Sequence, residues 1–95
     1  MKPRYKRSAV SDLDKIFRHI ATDNPDAARR LVARVEEVAA LIAAFPHVGQ
    51  ATSGPSFGRY PVGKYLIVYQ IQKGEVIIRY IRHGARLLPW ERKKK

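Results

Sequence analysis

Asn24-Pro25-Asp26 lies between two stretches of helical periodicity and constrains the fold more than any other tripeptide in the chain. Asn24 can cap a helix, Pro25 tolerates the first helical position because its missing N–H would be unpaired there, and Asp26 suits the positive end of the helix dipole. Before it, Val10, Leu13, Ile16, Phe17 and Ile20 recur at three- and four-residue steps, with Asp12, Asp14, Lys15 and Arg18 on the other face. That spacing predicts a helix capped by Ser8 and ending near Asp23. After it, Leu31, Val35, Val38, Ile42 and Phe45 form a second stripe, Ala27, Ala28, Ala39 and Ala43 allow close approach, and Pro46 with Gly49 stops the helix. So short a link makes the two helices an antiparallel hairpin.

The periodicity then changes. Gln50 to Gly58 is small, polar and turn-rich and reads as a loop, overlapping the start of a strand at about Phe57 to Pro61. Further strands are predicted from Tyr65 to Ile71 and from Val76 to Arg82, with Lys73-Gly74 as the hairpin turn between them. Arg4-Tyr5-Lys6-Arg7, bounded by Pro3 and Ser8, suits a brief edge strand. The predicted class is α+β in the order βααβββ, a helix hairpin on a small, mainly antiparallel sheet, with residues 1–95 forming one domain. Apolar residues fall on both parities of the strands, so one face packs under the helices and the other is partly covered or used for binding.

Charge narrows the partners. The chain of 95 residues has 19 Lys and Arg against 8 Asp and Glu, a formal charge of +11, with no cysteine. Residues 1–48 carry nine basic and six acidic side chains, whereas residues 49–95 carry ten and two, so the second half is where an anion is drawn. Such a field favours nucleic acid or an acidic protein segment without separating the two. The basic tail at 91–95 reads as a frayed, solvated end. The absence of cysteine excludes a disulfide framework and a thiolate metal site, and no apolar run is long enough to span a bilayer, so a cytoplasmic protein without a membrane partner is expected.

The chemistry open to these residues is limited. Six of the eight acids lie in the first half, chiefly on predicted outward helix faces, which disfavours a carboxylate-held Mg²⁺. His19, His47 and His83 lack zinc-pair spacing, and Gly58-Arg59 does not open a phosphate loop, so no metal or cofactor is expected. RNA can be cut without a metal when one group takes a proton from the 2′-OH, another protonates the leaving oxygen and cations stabilise the phosphorane. His83 could transfer a proton, Tyr65, Tyr69 or Tyr80 could donate one or stack on a base, and Arg59, Lys64, Arg79, Arg82 and Arg86 could hold phosphate. Arg79 and Arg82 have opposite parity and cannot share a face of a regular strand.

From residue 4 to about residue 89 the chain resembles the RelE/ParE toxin family of bacterial type II toxin–antitoxin modules. The resemblance is carried by Tyr5 through Val10, Asp12-Leu13 and Ile16, by Asn24-Pro25 with Ala28, and by Phe45-Pro46 with Gly49. Arg59, Gly63 through Tyr69, and Val76 through Arg86 complete it; the order and spacing are specific where the single pieces are not. It implies a growth-inhibiting toxin neutralised by a cognate antitoxin. RelE-like members cut mRNA on the ribosome with basic residues and often a C-terminal tyrosine, whereas ParE-like members inhibit DNA gyrase. Arg59 and Arg86 fall where RelE-like arginines stand, but Leu87-Leu88-Pro89-Trp90 brings no tyrosine, and the His83-Gly84-Ala85-Arg86 ending is closer to the ParE-like side. The expected function is therefore gyrase inhibition by protein contact through Lys64, Arg79, Arg82, Arg86 and Trp90. The alternatives are a metal-independent mRNA interferase using Arg59, His83 and Arg86, and a non-toxic relative that only binds a partner.

Overall fold

The computed structural model describes residues 2–51 and 57–84. Arg4–Tyr5 forms β1, Arg7–Ala21 α1, Pro25–Ala44 α2, Gln50–Ala51 β2, Phe57–Val62 β3, Tyr65–Gln72 β4 and Glu75–His83 β5. The strands make one sheet in the order β1-β5-β4-β3-β2, parallel between β1 and β5 and antiparallel elsewhere. The helix hairpin covers one face.

α2 begins as its sequence dictates: Asn24 Oδ1 accepts the Ala27 N–H at 3.1 Å, and Pro25 takes the first turn. α1 does not. Its N-cap is Lys6, with no side-chain cap bond, while its C-terminus at Ala21, with Thr22 as C-cap, lies close to Asp23 as expected. Ser8 lies inside the helix, where its hydroxyl donates to the Arg79 carbonyl at 2.6 Å. A strand carbonyl thus takes the hydroxyl expected to cap the helix.

Ala9, Ala28, Val35, Val38, Ala39, Ile42 and Ala43 are buried along the helices, and Val62, Ile67, Tyr69, Val76, Ile78 and Ile81 face them from the sheet. Two members of the expected stripes are exposed instead: Val10 is 55% exposed and Phe45, the C-cap of α2, is 63% exposed. With α1 starting at Arg7, Ala9 turns inward in place of Val10. Asp12, expected on the outward face, is half-buried and its Oδ2 accepts the Ile81 N–H at 3.1 Å.

The turns follow from backbone chirality. Lys73 (φ 54°) and Gly74 (φ 77°) both take the left-handed conformation that matches hairpin twist, and Gly63 (φ 57°) opens the β3–β4 turn. The segment read as a loop from Gln50 to Gly58 contributes a two-residue strand, β2, and the first two residues of β3: Gln50 pairs with Arg59 and Ala51 with Gly58. A pairing this short closes a ladder edge without leaving an apolar pattern to read.

Candidate interaction face of the sheet

Cross-strand register assigns every strand residue to a face, because directly paired residues project to the same side. Tyr65, Ile67, Tyr69 and Ile71 of β4 belong to the helix-packed core, so Leu66, Val68 and Gln70 project from the far face. Their partners join them: Arg59 and Tyr80 flank Val68, Pro61 and Arg82 flank Leu66, and Phe57 and Ile77 flank Gln70. Val68 is fully buried between its neighbours, so the far face has an apolar floor beneath its arginines.

Arg79 and Arg82 share this face because β5 is not regular. Val68 pairs with Tyr80 and Tyr69 with Ile78, which leaves Arg79 as an extra residue, a β-bulge. The parity argument that separated the two arginines holds only for an unbroken alternation. Arg79 lies 5.4 Å from the Phe57 ring centroid and 5.7 Å from that of Tyr80, while Arg82 lies 4.7 Å from Tyr80. Arg79 Nη1 also donates to Gln70 Oε1 at 2.9 Å, and the Nε atoms of Arg79 and Arg82 are buried without a hydrogen-bond acceptor. Stacking on aromatic faces, worth about 0.5–2 kcal/mol per pair, fixes the guanidinium planes. A planar, oriented guanidinium is suited to carboxylate or phosphate oxygens in two-point contact.

The other residues singled out by sequence are distributed differently. His83 pairs with Tyr65, so it lies on the helix side of the sheet, its ring edge-on to Tyr65 at 5.5 Å. It lines an open cleft of about 570 Å³ with Asp12, Lys15, Ile16, His19 and its neighbour Arg82. Lys64 occupies the β3–β4 turn, where its carbonyl accepts the Gly84 N–H at 2.7 Å. Arg86 and Trp90 lie outside the described residues. Register therefore brings Arg59, Arg79 and Arg82 to one face and His83 to the other, while Arg82 also borders the cleft that His83 lines.

Two of the three tyrosines considered for chemistry are committed to packing. Tyr69 is 1% exposed; its hydroxyl donates to the Pro46 carbonyl at 2.8 Å and accepts the Gly49 N–H at 3.1 Å. Burial raises its pKa above the ordinary value, and the Gly49 bond opposes that rise. Tyr65 packs against the core edge and His83, leaving Tyr80 on the far face. Sequence reasoning did not single out Phe57 or Gln70, although both keep the alternation with residues of that face. Among the described residues no group of three or more His, Asp or Glu side chains converges as a metal site. Nor is any of their helices long and apolar enough to cross a membrane.

The profile of the family described as "ParE toxin of type II toxin-antitoxin system, parDE" matches residues 4–88. Toxin RelE2 of Caulobacter vibrioides is 34% identical over 79 residues, covering 83% of this chain and 90% of that protein. A solved structure described as the chromosomal ParDE TA system from P. aeruginosa superposes with a TM-score of 0.76 at 20% identity, covering 87% of this chain and 95% of its own, a likeness of fold. Profile and relative agree with the resemblance carried by the sequence, and the chain belongs to the RelE/ParE toxin family of type II toxin–antitoxin systems, a membership that implies a cognate antitoxin.

Proposed function

We propose that residues 1–95 act as one toxin domain that arrests growth by binding DNA gyrase, with the arginine-bearing far face as a contact surface for acidic groups on the target. The observation that carries this reading is that Arg59 and Arg79 lie on the face of the sheet opposite His83, so that among the described arginines only Arg82 borders the cleft that His83 lines. Metal-free RNA cleavage needs proton-transfer groups and phosphate-holding cations within hydrogen-bond reach of one phosphate. Contact with a protein needs only a charged, oriented surface over an apolar floor, which the far face supplies. The ParE family profile and the His83-Gly84-Ala85-Arg86 ending support the gyrase side of the family. A gyrase target requires action in the cytoplasm, and the cognate antitoxin neutralises the toxin there.

The test pairs a gyrase supercoiling assay with a ribosome-programmed mRNA cleavage assay, using the native chain, Arg82→Ala and His83→Gln. Gyrase inhibition weakened about tenfold or more by Arg82→Ala, unchanged by His83→Gln, and intact messages are expected. Cut messages with unaffected supercoiling would overturn the proposal in favour of the ribonuclease alternative.

A further inference from the structure

The bulge that gathers the far-face arginines is held from the other side of β5, by α1. In a regular strand, successive carbonyls point to opposite neighbours. Here the Ile78 carbonyl accepts the Lys6 N–H at 2.9 Å and the next carbonyl, that of Arg79, accepts the Ser8 hydroxyl at 2.6 Å, so both are turned toward β1 and α1. Two residues further on, the Ile81 N–H donates to Asp12 Oδ2 at 3.1 Å. β1 is too short to pair with this part of β5, since its register ends at Tyr5 opposite Ile78. Ser8 and Asp12, four residues apart on one side of α1, replace the missing strand with side-chain atoms.

We infer that Ser8 and Asp12 are positioning residues for the contact surface: by engaging the Arg79 carbonyl and the Ile81 N–H they fix the bulge at Arg79 and hold Arg79, Tyr80 and Arg82 on the far face. The inference rests on that face being the surface proposed above, although neither residue touches it. Core packing alone does not fix the bulge's place. Ile78 and Ile81 must both face the helices, which requires one extra residue between them, but Arg79 and Tyr80 are both available for it. Moving the bulge by one residue re-pairs Val68 with Arg79 and breaks the stacking of Arg79 and Arg82 on Tyr80. The Ser8 hydroxyl selects between the two by satisfying the carbonyl that the observed bulge turns out of the β4 ladder.

The inference is tested by a double-mutant cycle on the full chain, with poly-L-glutamate as an acidic probe. Ser8→Ala should weaken probe binding about threefold or more in the native background and by less than about 1.5-fold in an Arg79→Ala background, with Ser8→Thr restoring the native value. By NMR, Ser8→Ala should lose the cross-strand contact between Val68 and Tyr80. Should Ser8→Ala fail to fold, Ser8→Cys keeps the shape with a weaker donor and is read through the same cycle. A lowered Tm with native probe binding and Val68–Tyr80 pairing retained would overturn the inference, as would an equal loss of binding in both backgrounds. Polyglutamate stands in for gyrase, so failure of the gyrase reading leaves this result intact.

Discussion

Tyr69 shows how one side chain can join three segments. Its ring passes over Gly58 of β3, where an added Cβ would come within 2.6 Å of it, and its hydroxyl reaches the α2–β2 connection at Pro46 and Gly49. Tyr69→Phe would leave a carbonyl and an N–H unpaired, and should lower stability by roughly 1–3 kcal/mol in urea unfolding. The same burial makes the protein alkali-sensitive. The folded-state pKa of Tyr69 is raised above the ordinary 10.0, so the folded chain retains a proton that the unfolded chain releases. That stabilisation is complete below the unfolded pKa and is lost as pH climbs through the folded one. As pH climbs above the ordinary tyrosine value of about 10, the native protein should lose more stability than Tyr69→Phe, measured by the difference in urea midpoints. In the sequence, Tyr69 is indistinguishable from Tyr65 and Tyr80, because only the register places it opposite a glycine.

The elements differ in how plainly the chain declares them. Asn24-Pro25 and Lys73-Gly74 carry their own local chemistry, a cap and a left-handed turn, so α2 and the β4–β5 hairpin follow directly from residue type. Lys73 nonetheless adopts φ 54°, which favours Asn or Gly. Lys73→Asn should therefore raise stability by about 0.5 kcal/mol, seen as a higher Tm with an unchanged far-face NMR pattern. The bulge was less legible. Inward positions of β5 step from Val76 to Ile78 by two and from Ile78 to Ile81 by three, and that odd step is its signature. Apolar residues on both parities conceal it, because Ile77 also reads as core. Likewise, Ser8 was legible as a helix-start residue, yet its hydroxyl serves a strand 71 residues away, a partner that no local pattern names.

At the scale of the whole molecule, the sequence separated a nearly balanced first half from a strongly basic second half, and the sheet sorts that second half further, setting Arg59 and Arg79 on the face opposite His83 and Arg82 where it also borders the His83 cleft. An acidic partner bound to the far face should dissociate more readily as salt rises, since screening acts over about 8–10 Å near physiological ionic strength. Measured against poly-L-glutamate from low to high salt, the affinity should fall, and Arg79→Ala with Arg82→Ala should flatten the dependence. Affinity indifferent to salt would argue for an apolar contact through the floor around Val68. The parallel pairing of β1 with β5 has one more consequence, for the order of assembly. Arg4 meets Ile77 and Ser8 meets Arg79, so contacts among the most distant in the described chain determine how the far face is built. Closing so long a loop is slow compared with forming the helix hairpin or the β4–β5 turn. A nascent chain can complete its helices while still tethered to the ribosome, but it cannot present the assembled arginine face until β5 has emerged and the N-terminal segment has docked against it.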